Sequence, residues 1–236
     1  PSLSSEFYLN KKNKIKIKYS KNFRAPSFND RYWISSSSIG NENLNSESSD
    51  NYEFGYKHIN KNYNLDISCY SLNVYDWIAW IENNGIWSPE NLKEVWSRGI
   101  ESKFKLKYRK STIQLNYSFT KTTTESSFNK NDISIGQQLR YVPLNKGNII
   151  ISYKHKEIRY YLNSAYTGEV ITSYGSTNSQ LEEYIISSFG LIYNPKTSPL
   201  ETEFRIMNLM DLQYQTYQNY PSKGREYTLT INYTIN

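Results

Sequence analysis

The chain alternates. From Tyr227 to its end it places Tyr227, Leu229, Ile231, Tyr233 and Ile235 on one side and Thr228, Thr230, Asn232, Thr234 and Asn236 on the other. A period of two is a β-strand whose faces meet different surroundings. The same pattern recurs upstream. Ile15, Ile17 and Tyr19 interleave with Lys14, Lys16 and Lys18; Tyr52, Phe54 and Tyr56 with Glu53 and Lys57; Phe104, Leu106 and Tyr108 with Lys103, Lys105, Lys107 and Arg109; Ile113, Leu115, Tyr117 and Phe119 with Gln114, Asn116 and Ser118. Further strands are expected over about 3–10, 62–77, 146–155, 158–168, 182–193 and 200–208, which makes ten or eleven in all, with little helix.

The connections alternate as well. Short turns fall near Asn60–Lys61, Arg109–Lys110, Lys156–Glu157 and Asn194–Pro199, and long polar loops are expected at about 24–50, 78–95, 123–140, 169–181 and 208–224. Compact soluble domains rarely carry one structureless loop beyond a dozen residues, let alone five. Outer-membrane barrels place short turns at the periplasmic end and long loops outside.

Two faces are then possible for the apolar side: a soluble core or lipid. The alternating apolar faces carry no charge, as lipid requires, since a charge at mid-bilayer costs about 2–4 kcal/mol. Tyr gathers at the strand ends of that face, at Tyr19, Tyr52, Tyr56, Tyr108, Tyr153, Tyr166, Tyr227 and Tyr233. A membrane explains this placement, because the ring sits in oil and the hydroxyl among headgroups. The 23 Tyr, 9 Phe and 5 Trp enrich strand formers further. No apolar run reaches the 18 or so residues of a membrane helix, which leaves a barrel open. The expected fold is therefore all-β, a transmembrane antiparallel β-barrel segment, with a soluble β-sandwich as the alternative.

The net charge of +6 invites a nucleic-acid reading. The basic and aromatic rows occupy opposite faces of the same strands, so no single surface offers both and no nucleic-acid partner is expected. Cys69 is alone, and His58 and His155 sit at turns without partners at ligand spacing, so no metal site is expected. Glu42, Glu47 and Asp50 share the first long loop and could hold Ca²⁺, although solvated acids are the simpler reading. No nucleophile–base pair or phosphate-binding glycine loop is present, so neither enzyme activity nor a cofactor is expected. No signal peptide opens the sequence, and an exported protein would need one.

Four stretches carry a family resemblance. KNFRAPSFNDRYW at 21–33 with GNENLNSESSDNYEFGY at 40–56 resembles the F-R-A-P…G-N-P-x-L-x-P-E…Y-E-x-G signature of TonB-dependent outer-membrane transporters. RGIESKFKLKY at 98–108, LRYVPLNKGNIIISY at 139–153 and the stretch from Phe204 to Asn236 resemble its later motifs, in order. The F-N-D-x-Y-W run and Tyr220 ahead of Gly224 are similar to the cobalamin receptors within it. Ser46 replaces a proline of the family's pattern, and Asn236 stands in place of a terminal aromatic.

The resemblance implies a barrel of about 22 strands with a plugged lumen, of which residues 1–236 would be the C-terminal half. It implies an outer-membrane location, lipid around the wall, a plug and N-terminal half-barrel on a separate chain or on the rest of the same one, TonB acting through that part, and a bulky ligand. The expected ligand is a corrinoid, with a ferric siderophore or haem as the near alternative and a non-transporting, partner-binding barrel as the distant one. The loop residues Tyr32, Trp33, Trp80, Trp87, Tyr174, Tyr217 and Tyr220 are the candidates for gripping it, and Arg140 for a polar contact.

Overall fold

The computed structural model describes residues 1–127, 131–175 and 180–234. The last steps of the terminal alternation, Ile235 and Asn236, and parts of the third and fourth expected loops lie outside the described residues.

Eleven strands form one antiparallel sheet in the order of the sequence. The first strands are β1 (Ser2–Tyr8), β2 (Asn13–Arg24), β3 (Glu47–Ile59), β4 (Tyr63–Asn83), β5 (Ile86–Tyr108) and β6 (Ser111–Ser126). There follow β7 (Asn145–His155), β8 (Ile158–Thr167), the short β9 (Val170–Ile171) and β10 (Gln180–Leu181), β11 (Tyr184–Tyr193) and β12 (Leu200–Met207). The short β13 (Gln215–Tyr217) and β14 (Tyr220–Pro221) precede β15 (Glu226–Tyr233). The pairs β9–β10 and β13–β14 are small ribbons apart from the main sheet. The sheet is an open wall: β1 and β15 are its two edges.

Register shows what each face carries. Cross-strand partners share a face, and they link Phe54 to Ile17 and Cys69, Phe104 to Leu65 and Leu115, Leu115 to Ile149, and Leu162 to Ile151 and Phe189. The band continues through Leu191, Phe204 and Leu229. Within this face runs a continuous apolar belt without a charge, bordered by tyrosines, and Lys21, Asp50, Arg98 and Lys121 share the face outside that belt. β7, β8 and β11 have 11, 10 and 10 residues, the length a tilted strand needs to cross a bilayer.

The opposite face is polar. On it Lys14 pairs with Glu6 at 2.9 Å, Lys16 with Glu53 at 3.6 Å and Lys57 with Asp66 at 3.6 Å. Such half-exposed pairs contribute little each, yet they fix this face as a hydrated one. Two glycines make room on it. A Cβ at Gly190 would lie 2.2 Å from the Tyr161 ring, and one at Gly99 would meet both Tyr70 and the Phe119 carbonyl.

One expected loop is absent. Residues 78–95 continue β4 and β5, of 21 and 23 residues, to a turn at Asn84–Gly85, where φ is 53° and 81°. Asn-Gly supplies left-handed backbone at low cost, so a tight hairpin forms where a loop was expected. The hairpin exceeds a membrane span by roughly ten residues, so about 30 Å of it stands outside. Val74, Val95, Leu72, Trp77, Ala79, Ile81 and Leu139 pack at its base as the one dense apolar cluster among the described residues.

Candidate functional site

The loop after β2 is shaped by local signals. Ser27 caps the short helix α1 (Phe28–Tyr32): its Oγ accepts from the Asp30 amide, and the Asp30 carboxylate accepts from the Ser27 amide and hydroxyl. Such a reciprocal box satisfies donors that a helix start leaves open. The Asp30 carboxylate also accepts the Trp80 indole N–H at 3.1 Å. Burial pushes this carboxyl up, but hydrogen bonds from Ser27 and Trp80 outweigh it and hold Asp30 below the ordinary range. Thus the R-A-P-S-F-N-D stretch positions an aromatic 50 residues away.

A second anchor stands beside it. Arg24 grips Glu47 with two hydrogen bonds, of 2.7 and 2.5 Å, and Glu47 also accepts the backbone N–H of Ile78 at 2.8 Å. Asp50 accepts instead from Tyr19. By strand parity Glu47 and Asp50 point to opposite faces of β3, so the acids considered for Ca²⁺ do not converge.

Above these anchors lies a cavity of about 1070 Å³. The extension of β4 and β5 supplies Trp80 and Trp87, the segment after β6 supplies Arg140 and Tyr141, the β9–β10 connection supplies Tyr174, and the β13–β14 ribbon supplies Tyr217 and Tyr220. Six of the eight candidate residues therefore line one space. Tyr32 and Trp33 do not: they close α1, half exposed, with Tyr32 against Phe28. The capping box fixes where α1 begins; its other end closes at Trp33, whose backbone N–H donates to the Asn29 carbonyl, and that end is not among the cavity walls.

Among the described residues, Arg140 is the cation of the cavity wall. Its guanidinium lies 5.6 Å from the Trp87 ring and 5.9 Å from the Tyr174 ring, and it donates to the Trp80 carbonyl at 3.2 Å. One bond to a carbonyl leaves most of its five donors available. Tyr174 donates to the Gln138 carbonyl, and burial raises its phenol, which keeps it protonated. Tyr141 stacks on Tyr217 at 4.5 Å and Tyr217 meets Tyr220 edge-on at 5.6 Å. Tyr141 was not anticipated. It has a φ of 59°, unusual for an aromatic residue, and such backbone tends to persist at functional surfaces. The LRYVP motif was its only sequence signal.

An apolar belt, tight turns at one end and an aromatic cavity among long connections at the other define one wall of a membrane β-barrel receptor. The family model "TonB dependent receptor-like, beta-barrel" matches residues 1–232, and the chain belongs to that family. It is 27% identical to the vitamin B12 transporter BtuB of Vibrio vulnificus (strain YJ016) over 220 residues, which is 89% of this chain and 33% of the relative. The fold is similar to the solved copper transporter OprC at a TM-score of 0.82 and 12% identity, covering 99% of this chain and 39% of the other. It is also similar to the ferric enterobactin receptor of Pseudomonas aeruginosa at 0.75 and 15% identity, covering 98% and 39%. The chain spans about a third of the length of the curated relatives it matches. Members of this family are bacterial outer-membrane receptors and transporters, not enzymes.

Proposed function

We propose that this chain is the C-terminal half of an outer-membrane receptor barrel that captures a scarce, bulky nutrient for TonB-driven uptake, and that the nutrient is a corrinoid. The observation that carries the proposal is the cavity, which gathers Trp80, Trp87, Tyr141, Tyr174, Tyr217, Tyr220 and Arg140 from four separate connections. Its volume is at the upper end for small-molecule sites, and flat rings with a few directed polar groups suit a large, partly apolar ligand. The vitamin B12 transporter relative points to the same ligand class.

The two sheet edges need partners, because unpaired backbone in lipid costs several kcal/mol per group. A plug and N-terminal half-barrel, on another chain or on the rest of this one, would pair with β1 and β15. TonB would act through that part. A ferric siderophore is the second reading, favoured by the free donors of Arg140, which suit an anionic ligand.

The test is equilibrium dialysis of the detergent-extracted, assembled receptor against cyanocobalamin and a ferric catecholate in parallel. Tight retention of cyanocobalamin alone supports the corrinoid reading. Retention of the catecholate alone transfers the site to siderophores, and retention of neither favours a barrel that binds a protein partner instead.

A further inference from the structure

The five tight turns at the opposite end of the wall are basic. The β1–β2 turn has Lys11 and Lys12, the β3–β4 turn Lys61, the β5–β6 turn Arg109 and Lys110, the β7–β8 turn Lys156, and the β11–β12 turn Lys196. Glu157 is the one acid among these turns. All seven cations are exposed, and none forms an ion pair among the described residues.

Two of the seven sit where turn chemistry disfavours them. Of the eight non-glycine residues with positive φ among the described residues, five are Asn or Asp, the residues that tolerate this backbone best. Arg109 and Lys156, both at 53°, are exceptions along with Tyr141. The Asn84–Gly85 hairpin at the other end shows the ordinary solution to the same geometry. A locally unfavourable cation without an ion-pair partner points to a role beyond the turn.

Depth identifies the partner. On the lipid-facing side a tyrosine stands at the turn end of β4, β5, β7, β11 and β15: Tyr63 stacks with His58 at 5.2 Å, and Tyr108, Tyr153, Tyr193 and Tyr233 follow along the same rim. Such a girdle sits at headgroup level. The Arg109 guanidinium lies 5.3 Å from the Tyr108 ring, which keeps it at that level. The cations are spread one or two per turn along the perimeter, matching a sheet of lipid rather than a compact protein footprint. The connection over 168–183 at the other end has Glu169, Glu182 and Glu183 and no Lys or Arg.

We infer that the turn rim is a binding surface for anionic phospholipid headgroups of the inner, periplasmic leaflet, and that it anchors the wall at a fixed depth. The inference rests on the barrel-wall reading, in which short turns face the periplasm.

The test uses the assembled receptor in phosphatidylcholine vesicles, with spin-labelled phosphatidylglycerol and spin-labelled phosphatidylcholine as probes of the lipid shell. Wild type should favour phosphatidylglycerol about five-fold per site, the factor one cation supplies at an anionic leaflet, and lose the preference in high salt. Changing all seven cations to Gln should abolish it. The double variant Arg109→Asn, Lys156→Asn suits the turn backbone better than wild type, so it should fold at least as well while losing part of the preference. Failure of wild type to insert overturns the barrel-wall reading together with this inference. Insertion with equal association of both lipids, or a preference that survives neutralisation, overturns the inference alone.

Discussion

Replacing Glu47 with alanine should loosen the base of the long hairpin without unfolding the wall. Glu47 is 6% exposed and accepts two hydrogen bonds from Arg24 and one from the Ile78 amide. Removing the carboxylate strands the Ile78 N–H in a buried place, at about 1–3 kcal/mol. The ion pair contributes less than its short distances suggest, because the Arg24 side chain is 53% exposed and rehydrates when freed, so about 1 kcal/mol is assigned to it. The total is about 3 kcal/mol of local stability, or roughly a 150-fold rise in local opening. Glu47→Gln keeps an acceptor for Ile78 and should cost about 1 kcal/mol. Hydrogen exchange on the assembled receptor reads this directly: the Ile78 amide should exchange roughly 150-fold faster in the alanine variant, with glutamine between it and wild type, while β7 and β8 stay unchanged. Equal protection of Ile78 in all three proteins would refute the claim that Glu47 is the hub of the hairpin base.

Arg140→Met removes the cation between Trp87 and Tyr174, an interaction of about 0.5–2 kcal/mol, and should weaken ligand retention up to about thirty-fold in equilibrium dialysis. Gly190→Ala drives a methyl group into Tyr161 and should destabilise the wall by about 1–3 kcal/mol, read as a lower melting temperature, whereas Gly55→Ala meets nothing closer than 3.7 Å and should be silent. Asp30 titrates below its ordinary value, so its contribution is complete above about pH 4 and is lost as pH falls through the lower folded value. Trp80 fluorescence should therefore stay constant from neutral pH down to about 4 and change only below it, and Asp30→Asn should remove that acid transition.

Strands that cross the membrane were legible because lipid and water impose opposite demands on alternate residues. The eleven-stranded meander follows from that demand and from the turns between the strands. The signal fails where the demand ends. Along Trp77–Asn83 the hairpin has left the bilayer, polarity no longer alternates, and 78–95 reads as loop although Asn84–Gly85 is a strong hairpin dipeptide. The aromatic content of the cavity was legible as Trp80, Trp87, Tyr174, Tyr217 and Tyr220, but its membership was not. Tyr32 and Trp33 lie at the C-terminal end of α1, outside its walls, and Tyr141 enters it through a left-handed backbone that residue type does not announce.

The family signature and the cavity divide the work between them. Arg24 and Glu47 hold the Ile78 amide, Ser27 and Asp30 hold Trp80, and the last motif forms a third clamp at the base of its own loop. There the Asn208 side chain bonds both the amide and the carbonyl of Leu212, Asp211 accepts from the Arg225 amide, and Gly224 leaves room for the Asp211 carboxylate, which a Cβ would approach to 2.8 Å. These motif residues bind backbone and one another at the feet of the connections. The rings that face the cavity stand further out, on segments the clamps support. In this chain the loop bases are therefore fixed by motif residues that do not face the cavity, and the rings that could meet a ligand stand on the segments those bases support.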